Sequence, residues 1–343
     1  MPRLGLLTAG ADCPGLNAAI RAVVGRAGHN DCRVVGVMNG WGGLLALDAR
    51  VIDEATVRDI LPLGGTILGA GRLNPANPAR DEGDRLGEVI AAVKTLELDG
   101  LIVIGDSDGL TAAHRVARRG VGVVGVPGTM DNDVGGTDYC IGYDSAVSTV
   151  ADAVDKLQTT ASAHHRVMVV EAMGRDTGWV ALAGALCGSA HLVLAPEAGV
   201  HIDEVVARLH ERHAARRTFT IIVVAEGATV EGVPVPEPLG HSPMAARLHH
   251  PSIGELIGLE IEARTGYETR VTVLGHVQRG GSPTVYDRLM ATRMGVAAVD
   301  LALEGKWDRL VALKGNRIIP VPLSEARQRR PADLALLELA TLF

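Results

Sequence analysis

Two aspartates stand close together on a short polar stretch that follows an apolar run. Residues 121–127 read Val-Gly-Val-Val-Gly-Val-Pro, and 128–133 read Gly-Thr-Met-Asp-Asn-Asp. The run is typical of a buried parallel strand, and open α/β sheets place their ligands at the carboxyl ends of such strands. Two carboxylates on one loop can hold Mg2+ and take a proton from a hydroxyl, which is the chemistry of phosphoryl transfer. Taken alone, the six residues also fit an Asx-rich turn.

The same pattern of a strand followed by a small polar loop recurs along the chain. Strands are predicted at 4–8, 33–38, 101–104, 121–127, 166–171, 192–195, 219–225 and 270–274, and helices at 16–24, 84–97, 110–119, 143–162, 179–186, 253–264 and 286–303. Glycine-bearing loops before helices favour anions because their N–H groups and the helix dipole attract negative charge. Such loops occur at 9–15, 64–72, 105–109, 172–178 and 275–283. Their recurrence predicts a phosphate and metal site on a doubly wound sheet.

Length and composition favour a two-lobed α/β enzyme. The chain has 343 residues, of which 47% are hydrophobic and 3% aromatic, and a single core stops growing near roughly 250–300 residues. The net charge of −7 without a basic run argues against nucleic-acid binding. Four scattered cysteines indicate reduced thiols, and no apolar segment reaches membrane-spanning length. We therefore expect a soluble cytoplasmic protein with no membrane partner; residues 227–251 are predicted to be a surface excursion and the tail an amphipathic closing segment.

Taken in order, these motifs resemble those of the phosphofructokinase family, and the loops are typical of its actinobacterial members. The matching stretches are 12–21, 64–66, 127–133, 173–175 and 274–281. The resemblance implies an α/β fold of two doubly wound three-layer lobes with the active site in the cleft between them. It places residues 1–141 and 277–325 in a larger donor-binding lobe, 142–276 in a smaller sugar-phosphate-binding lobe, and 326–343 in a C-terminal tail.

The resemblance also implies a role for each matching residue in phosphorylation of fructose 6-phosphate at O1. Asp131 matches the general base, Arg175 would stabilise the transferring phosphoryl group, and Thr129 and Asp133 match their neighbours in the sugar and metal site. The remaining sugar-phosphate residues are Met173, Gly174, Glu226, His276, Arg279, and Arg166 and Arg270, which reach the 6-phosphate from a neighbouring subunit. A shared site implies a homodimer or homotetramer. Several arginine forks are what a dianionic phosphate requires.

The donor side departs from the family pattern. The donor-binding positions are Gly10, Ala11, Arg72, Asp106, Ser107, Asp108 and Gly109. Ala11 replaces a glycine, and Ser107 occupies the metal carboxylate position, so Asp106 or Asp108 would have to bind Mg2+. Asp108 favours pyrophosphate as donor because its carboxylate repels the α-phosphate of a nucleotide. Gly128, which is usually lysine in pyrophosphate-users, favours ATP. We expect ATP, the commoner donor, with pyrophosphate as the alternative.

The chain is expected to be a Mg2+-dependent 6-phosphofructokinase of glycolysis. The alternatives are a donor-impaired homologue that only binds a sugar phosphate, and a kinase for another sugar phosphate such as sedoheptulose 7-phosphate. A dinucleotide oxidoreductase is disfavoured because no GxGxxG opens the first strand-to-helix turn. The effector site of allosteric bacterial members is incomplete, since Arg21 is kept but Gly25, with Arg26 beside it, and Gln158 replace two arginines. Weak regulation by ADP or phosphoenolpyruvate is therefore expected.

Overall fold

The computed structural model describes residues 1–76, 85–234 and 251–340, which form alternating strands and helices. The strands are β1 Arg3–Ala9, β2 Arg33–Val37, β3 Ala49–Ile52, β4 Gly100–Gly105, β5 Val123–Pro127, β6 Val167–Ala172, β7 Leu192–Leu194, β8 Val200–His201, β9 Thr220–Ala225, β10 Val230–Glu231, β11 Thr269–Val273, β12 Arg309–Lys314 and β13 Arg317–Pro322. The α-helices are α1 Leu16–His29, α2 Gly40–Leu45, α3 Glu54–Val57, α4 Leu86–Thr95, α5 Ser107–Ala117, α6 Tyr143–His164, α7 Trp179–Cys187, α8 Ile202–Ala214, α9 Ile253–Thr265, α10 Val285–Leu303 and α11 Leu334–Ala340, with 3-10 helices at Gly275–Arg279 and Leu323–Arg327. Most of the predicted surface excursion at 227–251 lies outside the described residues.

The chain divides into two compact units. Unit 1 comprises Met1–Ser145 and Arg279–Arg330, and unit 2 comprises Ala146–Gln278 and Pro331–Phe343. The sequence-based boundaries were 141 and 277, with a separate tail from 326. In the structure, unit 1 continues from Arg279 to Arg330, and the described tail residues after Arg330 belong to unit 2.

Unit 1 is built on a seven-stranded sheet in the order β13-β12-β5-β4-β1-β2-β3. Its five inner strands are parallel, and the two edge strands β3 and β13 are antiparallel to their neighbours. Residues on one face of the sheet share a core with α2, α4 and α5. Helices α1 and α10 pack together, and a Cβ added at Gly295 would lie 2.8 Å from the Ala19 carbonyl oxygen. This glycine therefore permits the close approach of the two helices.

The strand order of unit 1 creates a topological switch point. From β1 the chain proceeds outward through β2 and β3 and then returns to β4 on the other side of β1. The register pairs Ala9 with Gly105 and Gly105 with Pro127, so β1, β4 and β5 end level with one another. The loops that follow these strands therefore begin side by side, at the place where open α/β sheets bind ligands.

Unit 2 contains a four-stranded parallel sheet in the order β11-β6-β9-β7. Its core residues come from both the sheet and helices α8 and α9. The register pairs Ala172 with Ala225 and Glu171 with Val273, so the loops after β6, β9 and β11 also begin next to one another. A short parallel pair, β8 and β10, adds to this unit.

Two sequence-based assignments differ from the structure. The predicted turn at 105–109 is shorter, because α5 begins at Ser107 instead of Leu110. Asp106 is the N-cap, and its carboxylate accepts the Gly109 N–H at 2.8 Å, which starts the helix earlier. Part of the tail after α10, which was expected to be an amphipathic closing segment, forms strands β12 and β13. The four cysteines are free thiols, as expected, and no described helix is long and apolar enough to cross a membrane.

Candidate active-site groups

The loop after β5 presents Asp131 between fixed neighbours. Thr129 is buried, and its Oγ1 accepts the Asp131 N–H at 3.2 Å. Asn132 has a φ of 53°, in the left-handed region, and its Oδ1 accepts the Cys140 N–H at 2.8 Å. Asn tolerates this conformation better than most residues. Asp131 remains partly exposed while Thr129, Asn132 and Asp133 are buried, so its carboxylate is the accessible group of this loop.

Asp133 lies in a crowded acidic group. Burial, followed by the charge of Asp131, raises the pKa of Asp133 to about 6. The charge of Asp106 raises this pKa further, whereas Arg329, whose Nε lies 3.7 Å from Asp133 Oδ2, lowers it. Thr129, Asp131 and Asp133 are thus placed with Asp106 in unit 1. Repulsion among the carboxylates is the kind of energy that a bound cation relieves.

The residues around Asp133 fit a Mg2+ ion supported by substrate phosphates. The Ser107 hydroxyl lies near the Asp133 carboxylate and lowers the pKa of Asp133. Within the described residues, however, Ser107 Oγ and Asp133 Oδ1 are both buried and neither has a well-formed hydrogen bond. Across the three described ranges, no three His, Cys, Asp or Glu side chains converge into a metal site by themselves. Mg2+ does not need such a cage, because it keeps several waters and takes one or two carboxylates plus phosphate oxygens.

Asp106 holds the first and third loops together. Besides capping α5, its carboxylate lies 3.3 Å from the Ala11 backbone nitrogen, which donates to it, and burial raises its pKa. Gly10 has a φ of 101°, and a Cβ there would lie 2.1 Å from Asp106 Oδ2. The Gly10 N–H donates to the Gly71 carbonyl at 2.9 Å. The Gly10 and Ala11 amides are therefore engaged within the protein.

The other donor-side residues surround this contact. Asp108 lies in the first turn of α5 and is exposed. Gly109 is buried, and a Cβ there would lie 2.8 Å from the Ala9 Cβ. Arg72 is exposed next to Gly71, which pairs with Ala9 in an isolated bridge. All seven donor-side candidates named from the sequence belong to unit 1.

In unit 2, the loops after β6 and β9 touch each other. The Gly227 N–H donates to the Gly174 carbonyl at 3.1 Å, and a Cβ at Gly227 would lie 1.9 Å from the Arg175 carbonyl oxygen. This close approach places Met173–Arg175 beside Glu226. The Arg175 side chain is 74% exposed, and its guanidinium pairs with Asp176 at 3.0 Å.

Arg166 and Arg270 are brought together by one carboxylate. Glu268 Oε1 lies 2.7 Å from Arg166 Nη2 and 2.5 Å from Arg270 Nη2. Arg166 lowers the pKa of Glu268, so the carboxylate stays charged. The cluster keeps one net positive charge, which suits an anionic ligand. His276 is exposed in the 3-10 helix Gly275–Arg279, and Arg279, which belongs to unit 1, donates from Nη1 to the Asp12 carbonyl at 3.3 Å.

Several buried polar residues that support these loops were missed from the sequence. In unit 1, the Asp287 carboxylate accepts the Tyr139 hydroxyl at 2.6 Å and the Gly142 N–H at 2.6 Å, and the Ser145 N–H at 2.9 Å. In unit 2, Gln278 Oε1 accepts the Met173 N–H at 3.2 Å. A polar residue within a helical or loop pattern gives no sign of such distant partners, so periodicity could not have found them.

Known proteins resemble this chain over most of its length. Residues 3–302 match the family model described as Phosphofructokinase. The chain is 47% identical over 327 residues to the pyrophosphate–fructose 6-phosphate 1-phosphotransferase of Amycolatopsis mediterranei, covering 94% of each chain. It is 44% identical over 344 residues to the ATP-dependent 6-phosphofructokinase of Chloroflexus aggregans, covering 97% of this chain and 95% of that one.

Solved structures give the same result for the fold. Phosphofructokinase from Pichia pastoris in the T-state matches with a TM-score of 0.83 at 30% identity, and the match covers 95% of this chain and 35% of that one. This chain thus corresponds to about a third of the yeast protein. The pyrophosphate-dependent phosphofructokinase from Marinobacter aquaeolei has a TM-score of 0.80 at 21% identity, covering 99% of this chain and 92% of that one. The chain belongs to the phosphofructokinase family.

Proposed function

We propose that this chain is a 6-phosphofructokinase, which transfers a phosphoryl group from ATP or pyrophosphate to O1 of fructose 6-phosphate in the cytoplasm. The observation that carries the proposal is the partly exposed Asp131 on a fixed loop at the carboxyl end of β5. The names of the relatives, which divide between the two donors, support the same reaction. Glycolysis is the process that this activity would serve.

Asp131 is proposed as the general base. Its carboxylate takes the proton from the sugar O1 hydroxyl as the oxygen attacks the transferring phosphoryl group. The Thr129 hydroxyl and the buried Asn132 restrict the loop, so the base needs little reorganisation when substrate arrives. Arg175 is proposed to stabilise the negative charge of the phosphoryl group in the transition state, a role for which its exposed guanidinium is suited.

Asp133 and Ser107, with Asp131 and Asp106 in the same acidic group, are the residues that would hold Mg2+ together with donor phosphate oxygens and waters. When bound, Mg2+ would neutralise charge on the donor phosphates. From the sequence, Asp106 or Asp108 was the expected Mg2+ ligand. Asp133 is preferred here because Asp106 already accepts two backbone N–H groups and Asp108 lies exposed in the first turn of α5.

Residues from several of these loops are proposed to bind the sugar phosphate. Met173, Gly174 and Glu226 would contact the sugar, and His276 and Arg279 would hold its 6-phosphate. Arg166 and Arg270 are proposed to reach the 6-phosphate of a neighbouring subunit, which requires a homodimer or homotetramer. Their pairing through Glu268 supports this role, because it holds two guanidinium groups together before an anion arrives.

Each donor has one local observation in its favour. The exposed Asp108 carboxylate favours pyrophosphate because it would repel the α-phosphate of a nucleotide. Gly128 favours ATP because pyrophosphate-users usually carry lysine at this position. A Cβ there would lie 2.8 Å from Ile104 Cγ2 and 2.9 Å from Leu16 Cδ2. The lysine typical of pyrophosphate-users would therefore need a shift of the core at this position.

A donor-impaired sugar-phosphate-binding protein is the second candidate. It is favoured by the engaged amides of Gly10 and Ala11, because N–H groups that already donate to the protein cannot also bind a phosphate. Ser107 also favours this candidate, because a neutral hydroxyl replaces the carboxylate that binds the metal in the family.

The test is formation of fructose 1,6-bisphosphate from fructose 6-phosphate and Mg2+, with ATP and with pyrophosphate in parallel. Turnover with one donor establishes the kinase and identifies that donor. Absence of turnover with both, while calorimetry shows binding of fructose 6-phosphate, supports the donor-impaired protein instead. A parallel reaction with sedoheptulose 7-phosphate tests whether another sugar phosphate is preferred.

A further inference from the structure

The segment Glu325–Arg330 packs closely against the loop Asn132–Asp138, which follows the proposed base and is called here the 132–138 loop. A Cβ at Gly135 would lie 2.2 Å from the Gln328 carbonyl oxygen and 2.4 Å from that of Glu325. Val134 and Arg329 form an antiparallel bridge. All of these residues belong to unit 1. The family match ends at residue 302, so it assigns no role to this segment.

Arg330 joins the two ends of the 132–138 loop. Its Nη2 donates to the Asn132 carbonyl and to the Asp138 carbonyl, both at 3.0 Å. Its backbone N–H donates to the Asp133 carbonyl at 2.7 Å. Hydrogen bonds from a guanidinium are stronger than those between neutral groups. The side chain therefore holds both ends of the loop, while the backbone holds its second residue.

The far end of the loop is also fixed to the sheet. The Asp138 carboxylate accepts from Lys314 Nζ at 3.0 Å and from the Gly315 N–H at 2.9 Å. Lys314 is the last residue of β12, and Gly315 begins the turn between β12 and β13. Through Arg330, the Asn132 carbonyl is thus connected to a part of the loop that the sheet holds in place. The near end, by contrast, carries the left-handed Asn132 directly after Asp131.

We infer that Arg330 is a positioning residue for the proposed phosphoryl transfer. By holding the Asn132 carbonyl, it keeps Asn132, the residue after Asp131, in the left-handed conformation and so sets the direction of the Asp131 carboxylate. Arg330 donates to backbone oxygens and needs no contact with substrate to act in this way. The inference rests on the proposed function, because it assigns to Asp131 the role of the base.

The experiment compares Arg330→Met with Arg327→Met in the full chain. Methionine keeps an unbranched side chain but loses both side-chain hydrogen bonds, whereas the backbone bond to Asp133 remains. Arg327 lies three residues earlier, is exposed, and tests for a general effect of removing one positive charge. We expect Arg330→Met to lower kcat roughly 10- to 100-fold with less than about threefold change in the KM for fructose 6-phosphate. Arg327→Met should match the wild type.

Hydrogen exchange provides a second measurement on the same proteins. Peptides covering residues 132–140 should exchange faster in Arg330→Met, while β1 and β4 should be unchanged. If Arg330→Met does not fold, Arg330→Lys serves instead, and a kcat lowered about threefold or more with faster exchange in this loop supports the inference.

An inactive wild-type protein would count against the proposed function and not specifically against Arg330. In an active enzyme, a kcat within about threefold of wild type for folded Arg330→Met would overturn the inference. So would an equal loss of kcat in Arg327→Met, or wild-type kcat and exchange in Arg330→Lys when that variant is the one tested.

Discussion

For single residues, burial raises the pKa of an acid and lowers the pKa of a base. Burial raises the pKa of Asp133 to about 6, whereas burial, helped by the charges of Arg212 and Arg217, lowers the pKa of His191 to about 4. The ring nitrogen Nδ1 of His191 accepts the Ile221 N–H at 2.9 Å, and the backbone N–H of His191 donates to the Ile221 carbonyl at 2.9 Å. A neutral imidazole is required for the first of these bonds. His191 is therefore a structural acceptor beside β9.

This residue predicts an acid-dependent loss of stability. Between pH 6.5 and 4 the unfolded chain binds a proton at His191 that the folded chain does not, so stability is present above pH 6.5 and falls as the pH decreases. Because His191 is only half-buried, we expect about 1 kcal/mol of the loss between pH 6.5 and 5 to come from this residue. Denaturant unfolding of the wild type and His191→Asn at both pH values measures it. Asn keeps an acceptor oxygen without a titrating group, so equal pH slopes in the two proteins would contradict the assignment.

At the scale of elements, strand register explains why two distant arginines meet. β11 pairs with β6 so that Arg270 lies opposite Met168, and the Val167 N–H donates to the Glu268 carbonyl. This register places Arg166, which precedes β6, beside Glu268 and Arg270. Removing Arg270 should weaken binding of the 6-phosphate without changing the chemical step.

We therefore expect Arg270→Ala to raise the KM for fructose 6-phosphate roughly 10- to 100-fold, as for loss of a charged hydrogen bond, and to lower kcat less. Initial-rate kinetics with the preferred donor measures both constants. Arg208→Ala is the control, since Arg208 is exposed on α8 of the same unit. A larger loss in kcat than in KM would remove Arg270 from phosphate binding.

The sequence predicted best those elements whose burial requires a recognisable run of apolar residues. β4, β5, β6 and β9 are buried along their whole length, and their apolar runs therefore stand out. β13 contains Pro320 and Pro322 and was missed, because proline is unusual in a strand except at an edge, where β13 lies. The start of α5 was placed too late because the N-cap bond of Asp106 is a tertiary detail of one turn.

The residues of the candidate site likewise divide into those that the sequence predicted and those that it did not. Asp131 and its neighbours could be named from the sequence because their loop follows a recognisable strand and resembles a family motif. The partners that hold them could not, since Arg330 donates to Asn132 from 198 residues away and Ala11 to Asp106 from 95 residues away. Hydrophobic periodicity reports the burial of an element and carries no information on such pairs.

For regulation of the enzyme as a whole, the relevant feature is a cavity in unit 1. Its volume is about 430 Å³, and Arg21, Arg26, Glu54 and Arg58 contribute to its lining. Arg26 Nε is already paired with Asp300 Oδ1 at 2.6 Å. The Glu54 carboxylate would repel an anionic effector. With Arg26 paired, Arg21 and Arg58 still leave the lining with one net positive charge against Glu54, so the expectation of weak regulation rests on the incomplete effector motif in the sequence.

ADP or phosphoenolpyruvate should accordingly change the activity less than about tenfold at fixed, subsaturating fructose 6-phosphate. Rate measurements across a range of each effector test this expectation. Glu54→Ala is an informative companion, since removal of the carboxylate should increase any effect. A change of more than tenfold in the wild type would mean that the cavity, or another site, binds these effectors productively.

The kcat of Asp131→Asn with the preferred donor and Mg2+ shows whether Asp131 is the base of a fructose 6-phosphate kinase. The amide keeps the shape of the carboxylate but cannot take the O1 proton at neutral pH. We expect kcat to fall by roughly two to four orders of magnitude, with fructose 6-phosphate still bound with similar affinity by calorimetry. A loss of tenfold or less in the folded variant would contradict the assignment of Asp131 as the base.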